Sequence, residues 1–198
     1  MPLAPLAGIV SRAPPGAPPK GTPTMLRALN ACYKIAGGIA AAAIMLICLL
    51  VSAQVALNII ARFGGPDWSW TIPSYADFAG FLLAAATFLA MAHTLREGAH
   101  IRVNLVVQTL PPRGRWVMEM LALALGVAVS GAATWFVIGL IEESIHYGDM
   151  STGIVAVPIW IPQMPMALGL VLLTVALAHT LIEAIVARAP VLADQGTE

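Results

Sequence analysis

Two histidines, His93 and His179, lie toward the same end of two long apolar stretches. Imidazoles that face each other at one depth can supply both axial ligands of a haem. On that reading the chain is a haem b-binding membrane anchor of a redox complex. The plainer reading is two polar interfacial histidines, since no wider set of histidines supports the pair. The other candidates are charge pairs and polar ladders. Glu119 follows Arg115 by four residues and Glu183 follows His179 by four, the spacing of neighbours on one helix face. Gln54, Asn58 and Arg62 repeat at the same interval and stack on one face of the first apolar stretch. Asp77 opens the second stretch. If the segment between them forms a hairpin, Arg62 and Asp77 reach similar depth. A salt bridge there would neutralise both charges; the same residues could instead contact another subunit. Cys32 and Cys48 match no zinc or redox spacing and read as small apolar residues. No Gly-x-Ser-x-Gly, His-Glu-x-x-His or phosphate-binding loop occurs, which argues against an enzyme. No charged residue sits in the middle of any apolar stretch, where a proton relay or ion path would need one.

The elements that carry these residues follow from composition. Of 198 residues, 59% are hydrophobic and 10% charged, against about 25% charged in soluble domains. So few charges cannot cover a water-facing surface. Net charge is zero, so no attraction to nucleic acid is expected. The apolar residues concentrate in four stretches long enough to cross about 30 Å of hydrocarbon: roughly Ile35–Ala61, Ser74–Leu95, Val117–Ile141 and Gln163–Ala187. Outside closed barrels, only helices satisfy their own backbone in lipid. The expected fold is therefore all-α and integral to the membrane, with four transmembrane helices in residues 25–189. No ionisable site or pair of broken helices at mid-membrane marks a transport path.

Loop charges orient the spans. Arg12, Lys20, Arg27 and Lys34 precede the first; Arg96, Arg102, Arg113 and Arg115 lie between the second and third; Arg188 follows the fourth. The first loop has only Arg62, and the loop between the third and fourth spans carries Glu142, Glu143 and Asp149 with no base. Both termini and the middle loop are expected in the cytoplasm. Trp68, Trp70, Tyr75, Tyr147 and Trp160 gather near the outer ends and Trp116 at the inner start of the third span, as an aromatic belt does. In the middle loop, Val103, Val106, Val107 and Leu110 share one helical face, away from Arg102, Asn104 and Gln108. The segment from His100 to Leu110 is expected to be a short amphipathic helix in the interface, or an arm packing on a partner. Small residues four apart, Gly37-Gly38 with Ala41-Ala42, Gly80 with Ala84 and Gly126 with Ser130, offer close helix packing. Residues 1–24, rich in proline, are expected to be a disordered cytoplasmic tail. They make a poor signal peptide, and a start at Met25 would remove them. Residues 190–198 form a second cytoplasmic tail.

The chain resembles the small membrane subunit (DctQ-like) of tripartite ATP-independent periplasmic transporters. The resemblance is carried by Phe88-Leu-Ala-Met-Ala-His-Thr-Leu-Arg96-Glu-Gly-Ala-His100-Ile-Arg102-Val-Asn104, an apolar helix end and basic turn followed by His-x-Arg-Val-Asp or a variant. Pro111 and Arg115 match the following Leu-Pro-x-x-x-Arg pattern. Arg62 matches an arginine ending the first helix, Asp77 an acidic position opening the second. Ser151, Thr152, Pro158 and Trp160 resemble the approach to the fourth helix. Asn104 replaces a common aspartate and Ala90 a frequent glycine. The match covers roughly residues 26–188. It implies a separate, non-catalytic scaffold subunit without cofactor, in the bacterial inner membrane. Its implied partners are a large multi-helix subunit, which carries the substrate and sodium sites, and a periplasmic protein that binds the substrate, typically an organic acid. Beside this and the haem-anchor reading stands a third, a stand-alone four-helix membrane protein.

The loop charges predict that reporter fusions after Arg12, Arg113 and Arg188 read cytoplasmic, and fusions at Pro66 and Asp149 read periplasmic. An external reading at Arg113 would overturn the four-span arrangement.

Overall fold

The computed structural model describes residues 23–65, 68–97 and 111–187. They form four helices: α1 (Pro23–Gly64), α2 (Tyr75–Arg96), α3 (Pro112–Tyr147) and α4 (Trp160–Ala187). All four are long and apolar enough to cross a membrane. An antiparallel bridge between Met150 and Pro158 is the only β pairing among the described residues. The expected amphipathic helix, with His100, Arg102, Asn104, Val106 and Val107, lies outside the described residues.

Helix ends follow local chemistry rather than the edges of the apolar stretches. α1 starts at Pro23, where a missing N–H costs nothing. It runs to Gly64, starting well before the expected span and ending just past it, because no proline interrupts the stretch. Gly65 then takes a positive φ of 83°, open to glycine, and turns the chain. α3 starts after Pro111, whose extended backbone (φ −61°, ψ 156°) and carbonyl accept the Gly114 and Arg115 amides at 2.8 and 3.1 Å. It stops at Gly148, again left-handed. Pro165 sits inside α4 without ending it, as lipid-embedded helices tolerate.

The helices stand in an open row, α1 beside α2, α2 beside α4, and α4 beside α3. The edge helices α1 and α3 bury the smallest share of themselves and α4 the largest. Small side chains make the contacts. Ala36, Ala40 and Ala43 of α1 pack on Ala86 and Leu89 of α2. Tyr33 of α1 joins Ala92 and Leu95 of α2 and Ala176 of α4 in a second buried cluster. Gly126 of α3 faces Leu177 of α4, and the Thr134 and Thr174 hydroxyls meet at 3.4 Å. Gly37 lies under the His93 ring. Gly38 and Gly80, equally small, face open space. The tightest approach is where α4 crosses α2. A Cβ on Gly169 would run into the backbone of Phe88, so only glycine fits.

Gly169→Val should therefore lower stability by about 1–3 kcal/mol through overpacking. Gly80→Ala, in open space, should leave the melting temperature in detergent unchanged or slightly raised. Equal melting of the Gly169 variant and the parent would show that α2 and α4 do not meet there.

Candidate subunit-interaction surface

The two ends of the row are built differently. At one end, polar side chains fasten the connecting loops to the helices. Gln54 is 3% exposed, and a buried amide must satisfy both its atoms. Its Oε1 accepts the Ile72 amide at 2.9 Å and its Nε2 donates to Asn58 Oδ1 at 3.0 Å. This ties the loop before α2 to a point inside α1. The loop before α4 folds into a small hairpin. Ser151 donates its amide to the Val157 carbonyl at 2.8 Å, and its Oγ accepts the Val157 amide at 3.0 Å. Pro158, which has no N–H to offer, faces Met150 across the bridge, and the Ile159 amide reaches the Asp149 carbonyl at 3.0 Å. The hairpin then docks on α2. Ser74, held left-handed at φ 55°, accepts the Val155 amide on its Oγ at 2.9 Å. A left-handed serine is a local strain that this contact maintains. Gly153 packs against Asp77 and Ser74 with no room for a side chain.

Arg62 and Asp77 do not form an ion pair. The register explains why. The Gln54–Ile72 bond sets the start of α2 level with Gln54, so Arg62 lies about 12 Å further along the helix axis. Arg62 is exposed in the last turn of α1, whereas Asp77 is half-buried in the first turn of α2 against the hairpin.

At the other end, a charge cluster joins α2 to α4. Arg96 Nη1 lies 3.1 Å from Glu183 Oε2 and donates also to Thr180 Oγ1 at 3.4 Å. His179 Nε2 approaches Glu183 Oε1 at 3.7 Å. Glu183 is 9% exposed, so its charge depends on these partners. The Trp116 indole donates to the Ala184 carbonyl at 2.9 Å and ties the start of α3 to α4. Arg115 and Glu119, in the first turns of α3, both have partners. Sequence reasoning missed the Arg96–Glu183 pair. The signal existed: opposite charges near the C-terminal ends of two spans that cross in the same direction, the depth argument used for Arg62 and Asp77.

The histidines are not arranged as a haem pair. The His93 ring fills the space beside Gly37 on α1, and His179 directs Nε2 to Glu183 on its own helix. Among the described residues no group of three His, Cys, Asp or Glu converges as metal ligands. An apolar cleft of about 460 Å³ opens between α1, α2 and α4, walled by Leu46, Leu50, Phe78, Phe81, Ile161 and Pro165. It offers no group that would hold an ion. Beyond the cleft, the surface is broad and apolar, including Leu125, Val129, Trp135 and Phe136 on α3.

Residues 47–187 match the family model described as tripartite ATP-independent periplasmic transporters, DctQ component. No curated protein and no solved structure matches the chain.

Removing one member of the Arg96–Glu183 pair leaves a poorly solvated charge. Arg96→Met or Glu183→Met should each cost about 2–3 kcal/mol, below the ~3–5 of a fully buried pair because Arg96 keeps some exposure. The double variant should recover part of the loss in a thermal melt. Additive losses would mean that the two charges do not interact.

Proposed function

The chain belongs to the DctQ component family of tripartite ATP-independent periplasmic transporters, a transporter component and not an enzyme, and on that premise we propose that it is the small scaffold subunit of a sodium-coupled importer of an organic acid. A large membrane subunit carries the substrate and sodium sites, and a periplasmic binding protein delivers the substrate. One observation supports the scaffold role above others. Among the described residues the part-buried Arg96–Glu183 ion pair is spent on holding α2 to α4, and the cleft between α1, α2 and α4 is wholly apolar. An organic anion crossing the bilayer needs its charge compensated in low dielectric, and these helices supply nothing at mid-depth that could do so. What they supply is a row of helices with wide apolar flanks, suited to lining a larger neighbour.

The loop charges support an inner-membrane placement with both termini, the Tyr33 end of the row and the middle loop in the cytoplasm. The Gln54 end and the hairpin then face the periplasm. On this reading His100, Arg102, Asn104, Val106, Val107 and Pro111 belong to an arm that grips the large subunit, while Ser151 and Pro158 shape the periplasmic hairpin.

Purified alone in liposomes, the chain should show no sodium-driven uptake of organic acids. Adding the large subunit and the binding protein should establish it. Uptake by this chain alone would overturn the scaffold role. Val106→Asp with Val107→Asp should weaken co-purification with the large subunit, and unaffected co-purification would remove the arm from the interface.

A further inference from the structure

Two buried polar atoms stand unbonded where α1, α2 and α4 meet. Tyr33 of α1 is 2% exposed. Neither its hydroxyl nor Nδ1 of His179 on α4 makes a hydrogen bond among the described residues. Native folds rarely leave such atoms unpaired. Both belong to one junction. The Tyr33 ring packs with Ala92 and Leu95 of α2 and with Ala176 of α4. Gly37, one turn on from Tyr33, lies under the His93 ring, which sets Tyr33 level with the last turn of α2 and so with Arg96. Arg96 in turn bonds Thr180 and Glu183, so His179 stands at that level too. On α4, Leu172 precedes His179 by seven residues and shares its face. Leu172 packs against both clusters to which α1 contributes, so that face is turned toward α1. The Tyr33 hydroxyl lies within electrostatic reach of Arg96 and Glu183 but bonds neither.

The two atoms are also complementary. In a neutral imidazole one nitrogen donates and the other accepts. His179 Nε2 faces Glu183 Oε1 at 3.7 Å, and the carboxylate holds the ring proton on that nitrogen. Nδ1 is then the acceptor, and the phenol is a donor. We propose that one water molecule is bound between Tyr33 Oη and Nδ1 of His179, accepting from the hydroxyl and donating to the imidazole. The ligand here must both accept and donate, and water does both. The Glu183 carboxylate, in the same cluster, is an acceptor for its second proton, which gives the three bonds usual for a buried water. The network runs from Tyr33 through the water to His179, Glu183 and Arg96, and it touches three helices. It fastens α1, which otherwise meets α2 and α4 here through apolar side chains, to the charge pair that joins them.

The test uses the full chain in lipid nanodiscs, with isotope-labelled histidine and the His179 signals assigned by their loss in His179→Leu. Nuclear magnetic resonance should show the His179 ring with its proton on Nε2 and a hydrogen-bonded Nδ1. Tyr33→Phe keeps the ring and removes only the hydroxyl. It should move the Nδ1 resonance toward that of an unbonded acceptor. It should also lower the melting temperature by roughly 2–4 °C, the shift of one lost hydrogen bond in a chain of this size, and lower it no further in the His179→Leu background. A hydroxyl without a partner predicts the opposite sign, because Tyr33→Phe would then remove a buried polar atom at no cost. A rise in melting temperature, a proton on Nδ1, or an Nδ1 resonance indifferent to Tyr33→Phe would each overturn the proposal. So would a direct contact of the hydroxyl with Nδ1 in a structure that resolves waters.

Discussion

Lipid tails are as apolar as leucine, so side chains gain little by leaving them for another helix. Association in a bilayer must come from close van der Waals fit and from polar groups that have nowhere else to go. Both devices are visible here. Gly169 brings α4 onto the backbone of Phe88, and alanines 36, 40 and 43 let α1 lie flat on α2. Around these approaches the rest of the row takes its order, because a helix that can come close on only one line has only one neighbour there.

The polar groups lock what the small residues allow. At one end Arg96 and Glu183 join α2 to α4, with Thr180 accepting from the arginine and donating its own proton to the Ala176 carbonyl at 2.8 Å. At the other, Gln54 and Ser74 fasten two loops by accepting backbone amides. The central helices are therefore pinned at both ends. The edges α1 and α3 remain apolar outward. A centre pinned at both ends with apolar edges fits the proposed scaffold role.

The comparison with the sequence is sharpest at the charges. The depth argument was sound in principle but applied to the wrong pair. Arg62 and Asp77 look level only if α2 starts where α1 ends. It does not, because the loop first runs back to Gln54, eight residues before Arg62, and α2 begins only after that contact. Arg96 and Glu183 sit at helix ends that do coincide, and there the pair forms. The small-residue signals behave alike. Gly37 and Gly126 are used, whereas Gly38 and Gly80 look into open space. Spacing marks faces that can pack, and several faces of one helix qualify.

From the sequence alone came the solvent, the number of spans, the direction of the loop charges and the family, each of which depends on composition, periodicity or order along the chain. Helix length against hydrocarbon thickness is a one-dimensional match, and so is a motif. The row order α1–α2–α4–α3, the Gly169 crossing, the burial of Tyr33 and the overhang of α1 were decided only in three dimensions. Each depends on the rotation and axial register of one helix against another. Lipid is indifferent to both, so hydrophobic pattern carries no record of them. They are set by a few contacts between residues far apart in the chain, a glycine against a carbonyl or a guanidinium against a carboxylate, which no local pattern announces.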